Sequence, residues 1–132
     1  MSLQVSHHLL LCVPQKTSSL CCDPAESKRS WEQLKLILKR LKLEEPKRPE
    51  GIVLRSKVNC LRVCKSGPIL LIWPEGIWYQ YVFQDRIEEI VKSHIIEGKP
   101  KKEWVLKRTP LKGLGDKFDQ PTPHNSIAPT SI

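Results

Sequence analysis

Residues 23–41 read D-P-A-E-S-K-R-S-W-E-Q-L-K-L-I-L-K-R-L, and the way this stretch folds decides the architecture. Asp23 can accept a hydrogen bond from the open amides of a first helical turn. Pro24 suits the first helical position, and Glu26 stands where a capping box needs it. Trp31, Leu34, Ile37, Leu38 and Leu41 recur at helical spacing, with Lys and Arg opposite. The spacing predicts a helix from about residue 24 to 43, ended by Glu44–Glu50 (E-E-P-K-R-P-E), which has two prolines and no apolar residue. On either side lie strand signals: residues 8–13 (H-L-L-L-C-V) and Gly51–Asn59 (G-I-V-L-R-S-K-V-N). Strand, helix, strand makes the two strands parallel, with a right-handed crossover.

Downstream, Ile69–Trp73 (I-L-L-I-W), a Pro74-Glu75-Gly76 turn and Ile77–Val82 (I-W-Y-Q-Y-V) read as a β-hairpin, with Gly76 suited to a positive φ. Asp85 and Glu88 read as a second capping box. Ile87, Ile90, Val91 and Ile95 give the next helix its apolar face, and Gly98 and Pro100 stop it. The order is β-α-β-β-β-α. That is the order of the thioredoxin-like α/β fold, a four-stranded mixed sheet flanked by helices. Glu103–Leu106 (E-W-V-L) either adds an edge strand or docks on the body. Residues 1–111 are expected to form the domain. Residues 112–132, rich in Gly, Pro, Ser and Thr, are expected to be a disordered tail.

At 132 residues and 39% hydrophobic content the chain supports one modest core. Its longest nearly unbroken apolar run, Pro68–Pro74, is far short of the roughly 20 residues that span a bilayer. Residues 9–13 (L-L-L-C-V) are too short for a signal-peptide core and lack a basic segment before them. The expectation is a cytoplasmic protein in a reducing compartment, with no membrane partner. Its five cysteines are then ligands, catalytic groups or buried thiols rather than a disulfide framework. The formal net charge is +8, concentrated on Lys28, Arg29, Lys35, Lys39, Arg40 and Lys42 and again between Lys99 and Lys117. Such a balance favours acidic partners. No helix-turn-helix, zinc-finger or RNP pattern accompanies it, so nucleic acid is not an expected partner.

Cys12 ends the first strand, Cys21 and Cys22 close the loop after it, and Cys60 and Cys64 follow the second strand. If the strands are parallel, both loops open at the carboxyl edge of the sheet, where α/β proteins place their ligands. The Cys-x-x-Cys of a thioredoxin-type dithiol is absent. Structural zinc usually takes Cys-x₂-Cys knuckles but accepts longer spacings. An iron–sulfur cluster needs four thiolates, and Cys60 and Cys64, one helical turn apart, could face one iron. Four-thiolate binding of iron–sulfur or zinc, and buried thiols, all remain open from spacing alone. His7, His8 and His94 read as structural. No catalytic triad, paired carboxylates or phosphate loop is present, so an enzyme is not expected.

These residues carry a resemblance. L-L-L-C-V at 9–13, C-C-D-P at 21–24, S-W-E-Q-L-K at 30–35, V-L-R-S-K-V-N-C-L-R-V-C-K-S-G-P-I at 53–69, W-P-E-G-I-W-Y at 73–79 and I-E-E-I-V at 87–91 resemble the thioredoxin-like 2Fe–2S ferredoxins. The resemblance covers about residues 8–111. It implies one 2Fe–2S cluster per chain and a one-electron carrier between redox partner proteins, often a homodimer. Matched residue by residue, it implies Cys12, Cys22, Cys60 and Cys64 as ligands, with Cys21 as the alternative to Cys22. Two other readings stand beside it: a 2Fe–2S subunit or regulatory module of a larger oxidoreductase, and a zinc-stabilised interaction protein. One departure is the charge, since ferredoxins of this kind are commonly acidic and this chain is basic.

Overall fold

The computed structural model describes residues 4–14, 23–59, 61 and 66–113. The expectations placed on Cys21, Cys22, Cys60, Cys64 and the chain from residue 114 onward lie outside the described residues. The elements are β1 (Val5–Cys12), α1 (Pro24–Arg40), β2 (Ile52–Val58), β3 (Leu70–Trp73), β4 (Ile77–Tyr79), α2 (Gln84–Ile90) and β5 (Val105–Arg108). Helix α2 runs on as a wider π-helical turn over Val91–Ile96, and a single 3-10 turn, Lys102–Trp104, leads into β5.

The sheet has the order β2-β1-β3-β4-β5. Strands β1 and β2 are parallel, and every other pairing is antiparallel. This is the thioredoxin-like order expected, with a fifth strand at the edge. Val105–Arg108 pairs with β4, so the E-W-V-L segment supplies an edge strand after its short 3-10 turn.

Strand alternation divides the core between two faces. Leu9 and Leu11 of β1, Leu70 and Ile72 of β3, and Ile77 and Tyr79 of β4 join the apolar faces of both helices in one buried cluster. Leu10 and Cys12 of β1, with Leu71, Trp73 and Trp78, form a smaller cluster on the other face. The helices therefore share one side of the sheet, and Cys12 belongs to the opposite side.

Several boundaries differ from the sequence reading, each for a local reason. The Asp23 carboxylate accepts the amide of Glu26 at 2.9 Å, as expected of a cap. The carboxylate of Glu26 itself faces Arg29, 3.7 Å away. Helix α1 ends at Arg40, earlier than the expected 43. Lys42 takes φ 56, the amide of Leu43 bonds the Leu38 carbonyl and that of Lys42 the Lys39 carbonyl. This is the closing motif usually built on glycine, and the buried Leu38 and Leu43 supply its apolar contact. The second capping box is not formed: the cap of α2 is Phe83, with no side-chain hydrogen bond, and Asp85 lies inside the first turn. Glu88 instead pairs with Arg40 and Lys92, each at 2.7 Å. Strand β4 stops at Tyr79, because Tyr81 turns to φ 51.

Candidate functional site

The carboxyl edge of the parallel pair is built as the sequence required. Cys12 pairs in register with Val58, so the ends of β1 and β2 lie side by side. The Cys12 side chain is fully buried, with Sγ 3.7 Å from the Asn59 carbonyl. Its amide donates to Ile69 at 3.0 Å, and the Val13 amide donates to Val58 at 2.7 Å. Pro14 precedes the Cys21-Cys22 stretch in the chain, and Asp23, the cap of α1, follows it. Cys60 and Cys64 lie in the chain between Asn59 and Ser66. Of the predicted ligands, Cys12 is the one among the described residues.

The frame around that edge is braced by residues the sequence reading passed over. The amide of Tyr81 donates to Ser66 at 2.6 Å and that of Val82 to Pro68 at 2.9 Å. The buried Ser30 hydroxyl on α1 donates to the Val82 carbonyl at 2.6 Å. The first turns of α1 and the strand that follows the Cys64 segment are thereby tied through Val82. A serine inside an amphipathic helix gives little sequence signal for such a role, since its partner lies 52 residues away.

A second polar constellation sits at the other end of β1. Because His8 pairs with Trp73 across β1 and β3, His7 comes beside the Pro74-Glu75 turn. His7 Nε2 is 3.4 Å from Glu75 Oε2, and the buried His94 approaches Glu75 Oε1 at 3.3 Å. Burial pushes the Glu75 carboxyl up, but contacts with both imidazoles and its own backbone hold it well below the usual carboxylate range. The Tyr79 hydroxyl lies 2.8 Å from His94 Nδ1 and accepts the Lys101 amide at 3.0 Å. Burial pushes Tyr79 up to about 12 against the lowering effect of that amide, and the negative charges of Glu75 and Glu103 add to the rise. His8, by contrast, points across to β2, where its Nε2 lies 2.9 Å from the Ser56 hydroxyl.

Among the described residues no helix is long and apolar enough to cross a membrane. The exposed side of α1 carries Lys28, Arg29, Lys39 and Arg40.

A mixed sheet with both helices on one face, and a buried cysteine at the carboxyl edge of its parallel pair, defines a class of α/β proteins with known relatives. The sequence is 32% identical over 92 residues to a 2Fe–2S ferredoxin of Clostridium pasteurianum, an alignment spanning 70% of this chain and 87% of that protein. It is 29% identical over 59 residues to a 2Fe–2S ferredoxin of Aquifex aeolicus, spanning 45% of this chain and 53% of that one. The fold is similar to the solved structure of a thioredoxin-like [2Fe–2S] ferredoxin from Aquifex aeolicus. The TM-score is 0.67 at 20% identity, over 83% of this chain and 97% of that one. No protein-family model matches the sequence. The chain belongs to the thioredoxin-like 2Fe–2S ferredoxin family. Members of that family are electron carriers rather than enzymes.

Proposed function

We propose that residues 1–111 hold one 2Fe–2S cluster on Cys12, Cys22, Cys60 and Cys64 and pass single electrons between redox partner proteins in a reducing compartment, the cytoplasm. The observation that carries this reading is the placement of Cys12. It is buried at the carboxyl end of β1, in register with Val58, two residues before Cys60 in the chain. Four soft thiolates are the donor set that such clusters take.

When bound, the cluster supplies a one-electron couple; the rest is work for this chain. The amino end of α1 follows Cys22 directly, and its positive dipole favours a thiolate there over a thiol. Cys21 is one residue further from that helix end and is the alternative ligand. Burial of Cys12 keeps water from its sulfur, which favours a low potential, while cationic neighbours favour a higher one. Arg62 and Lys65 flank the proposed ligands in sequence. The Ser30–Val82–Pro68 tie holds the chain beyond Cys64 against α1, which limits reorganisation when charge changes. The exposed lysines and arginines of α1 favour docking to an acidic face of a redox partner.

The test is iron, zinc and acid-labile sulfide analysis of protein purified without oxygen, with its visible spectrum. Two irons and two sulfides per chain, with charge-transfer absorption, are expected. A colourless protein with zinc and neither iron nor sulfide would overturn the proposal.

A further inference from the structure

Three metal-ligating side chains from three separate elements meet at the end of the sheet away from Cys12. They are His7 of β1, Glu75 of the β3–β4 turn and His94 of the π-helical turn, and their ligand atoms all lie within 4.8 Å of one another. His7 stands five residues before Cys12 on β1, about 16 Å away at the rise of a strand, so this group is separate from the cysteine site.

These contacts are not ordinary hydrogen bonds. Charge-assisted N–H···O⁻ bonds close to about 2.7–2.9 Å, whereas the two separations here are 3.4 and 3.3 Å. Glu75 Oε1 and His94 Nε2 are buried without a hydrogen-bond partner among the described residues, which native interiors seldom leave unsatisfied. Donor atoms around a tetrahedral ion at bond lengths near 2.0–2.1 Å stand about 3.3–3.4 Å apart. Each imidazole stands at that spacing from one oxygen of the carboxylate, His7 from Oε2 and His94 from Oε1. Each imidazole is also held from behind: His94 Nδ1 by the Tyr79 hydroxyl at 2.8 Å, and His7 Nδ1 by the Ser6 hydroxyl at 3.1 Å. That leaves both Nε2 atoms facing the carboxylate, the arrangement that orients ligating histidines. For ligation His94 carries its proton on Nδ1 and donates it to Tyr79. The Tyr79 oxygen has two lone pairs and can accept both this proton and the Lys101 amide. The π-helical turn sets the register of His94, and such turns recur at functional sites.

We propose that His7, Glu75 and His94 form a divalent metal site, separate from the cysteines and best matched to Zn²⁺. Two imidazoles and a carboxylate suit zinc, and three protein ligands leave a fourth position for water. The partial exposure of His7 and Glu75, 15% and 25% of their side chains, gives that position access to solvent, while His94 at 1% anchors the site inside. A bound ion would fasten β1, the hairpin turn and the second helix together.

Dialysis of the cluster-loaded protein against low-micromolar ZnCl₂, followed by metal analysis, tests this. One zinc per chain beyond the iron is expected, with the visible spectrum unchanged. Glu75→Gln and His7→Asn should each lose it, and Tyr79→Phe should weaken binding about 10–100-fold, as loss of a supporting hydrogen bond does. Zinc retained equally by Glu75→Gln and His7→Asn, or no zinc retained by the wild type, would overturn the proposal. X-ray absorption at the zinc edge of the wild-type protein reads the ligands without any variant. A shell of nitrogen and oxygen alone supports the site, and sulfur in the shell moves the zinc to the cysteines and refutes it.

Discussion

Gly76 and Gly98 take nearly the same backbone conformation, φ +69 and φ +71, in opposite surroundings. Alanine at either position must adopt the left-handed region, at about 1–2 kcal/mol. At Gly98 nothing lies within 4 Å of the added Cβ, so the cost stops there. At Gly76 the same atom would sit 2.1 Å from the Thr109 carbonyl oxygen and 2.7 Å from its carbon. The backbone just past β5 must then move. Two hydrogen bonds depend on its position: the Thr109 amide to the Gly76 carbonyl at 2.7 Å, and the Trp78 indole to the Thr109 hydroxyl at 2.7 Å. At about 0.5–1.5 kcal/mol each, their loss separates Gly76→Ala from Gly98→Ala by about 1–3 kcal/mol. For a domain of this size that is about 4–12 °C in apparent melting temperature. The stiffening of the unfolded chain by alanine is the same in both variants and cancels. Thermal melts by circular dichroism, under one set of conditions, measure the gap. Two variants melting within about 2 °C of each other would refute the argument that β5 is fastened through the hairpin turn.

Other expectations follow from the cysteine edge and its frame. Ser30→Ala leaves the buried Val82 carbonyl without its side-chain donor, and should cost about 1–3 kcal/mol and speed bleaching of the visible spectrum by a chelator; an unchanged melt and bleaching rate would remove Ser30 from the frame. Cys12→Ser, Cys60→Ser and Cys64→Ser should each perturb or abolish the visible spectrum. Of the adjacent pair, Cys22→Ser should change it and Cys21→Ser should not, and the reverse would exchange the two assignments. The net charge of +8 should make reduction by an anionic dye faster than by a cationic dye of similar potential at low salt. The two rates should converge above about 0.1 M, where the screening length falls to roughly 10 Å; salt-independent rates would show that the basic face does not steer encounter.

The parts of the fold that were legible in sequence are those fixed by neighbours in the chain. Asp23-Pro24 gave the start of α1, and the apolar run L-L-L-C gave a strand ending at Cys12; that Cys12 faces away from the helices emerged only in the structure. The end of α1 was misread because Lys42 does what a glycine usually does. Asp85 and Glu88 had capping spacing, but Tyr81 and Phe83 set where the helix begins, and Glu88 serves Arg40 and Lys92. The parallel pairing that sets the ends of β1 and β2 side by side could be inferred, because a helix-length crossover forces it. The His7–Glu75–His94 group could not. Those three positions meet only through the β1–β3 register and the packing of the second helix, and no local spacing encodes either.

The central claim is a single 2Fe–2S cluster carried by this chain, and electron paramagnetic resonance of the dithionite-reduced protein tests it most directly. Oxidised protein should be silent, and reduction should produce a half-integer spin signal integrating to one unpaired electron per chain. A protein that stays silent on reduction, or one whose signal belongs to a different cluster type, would contradict it.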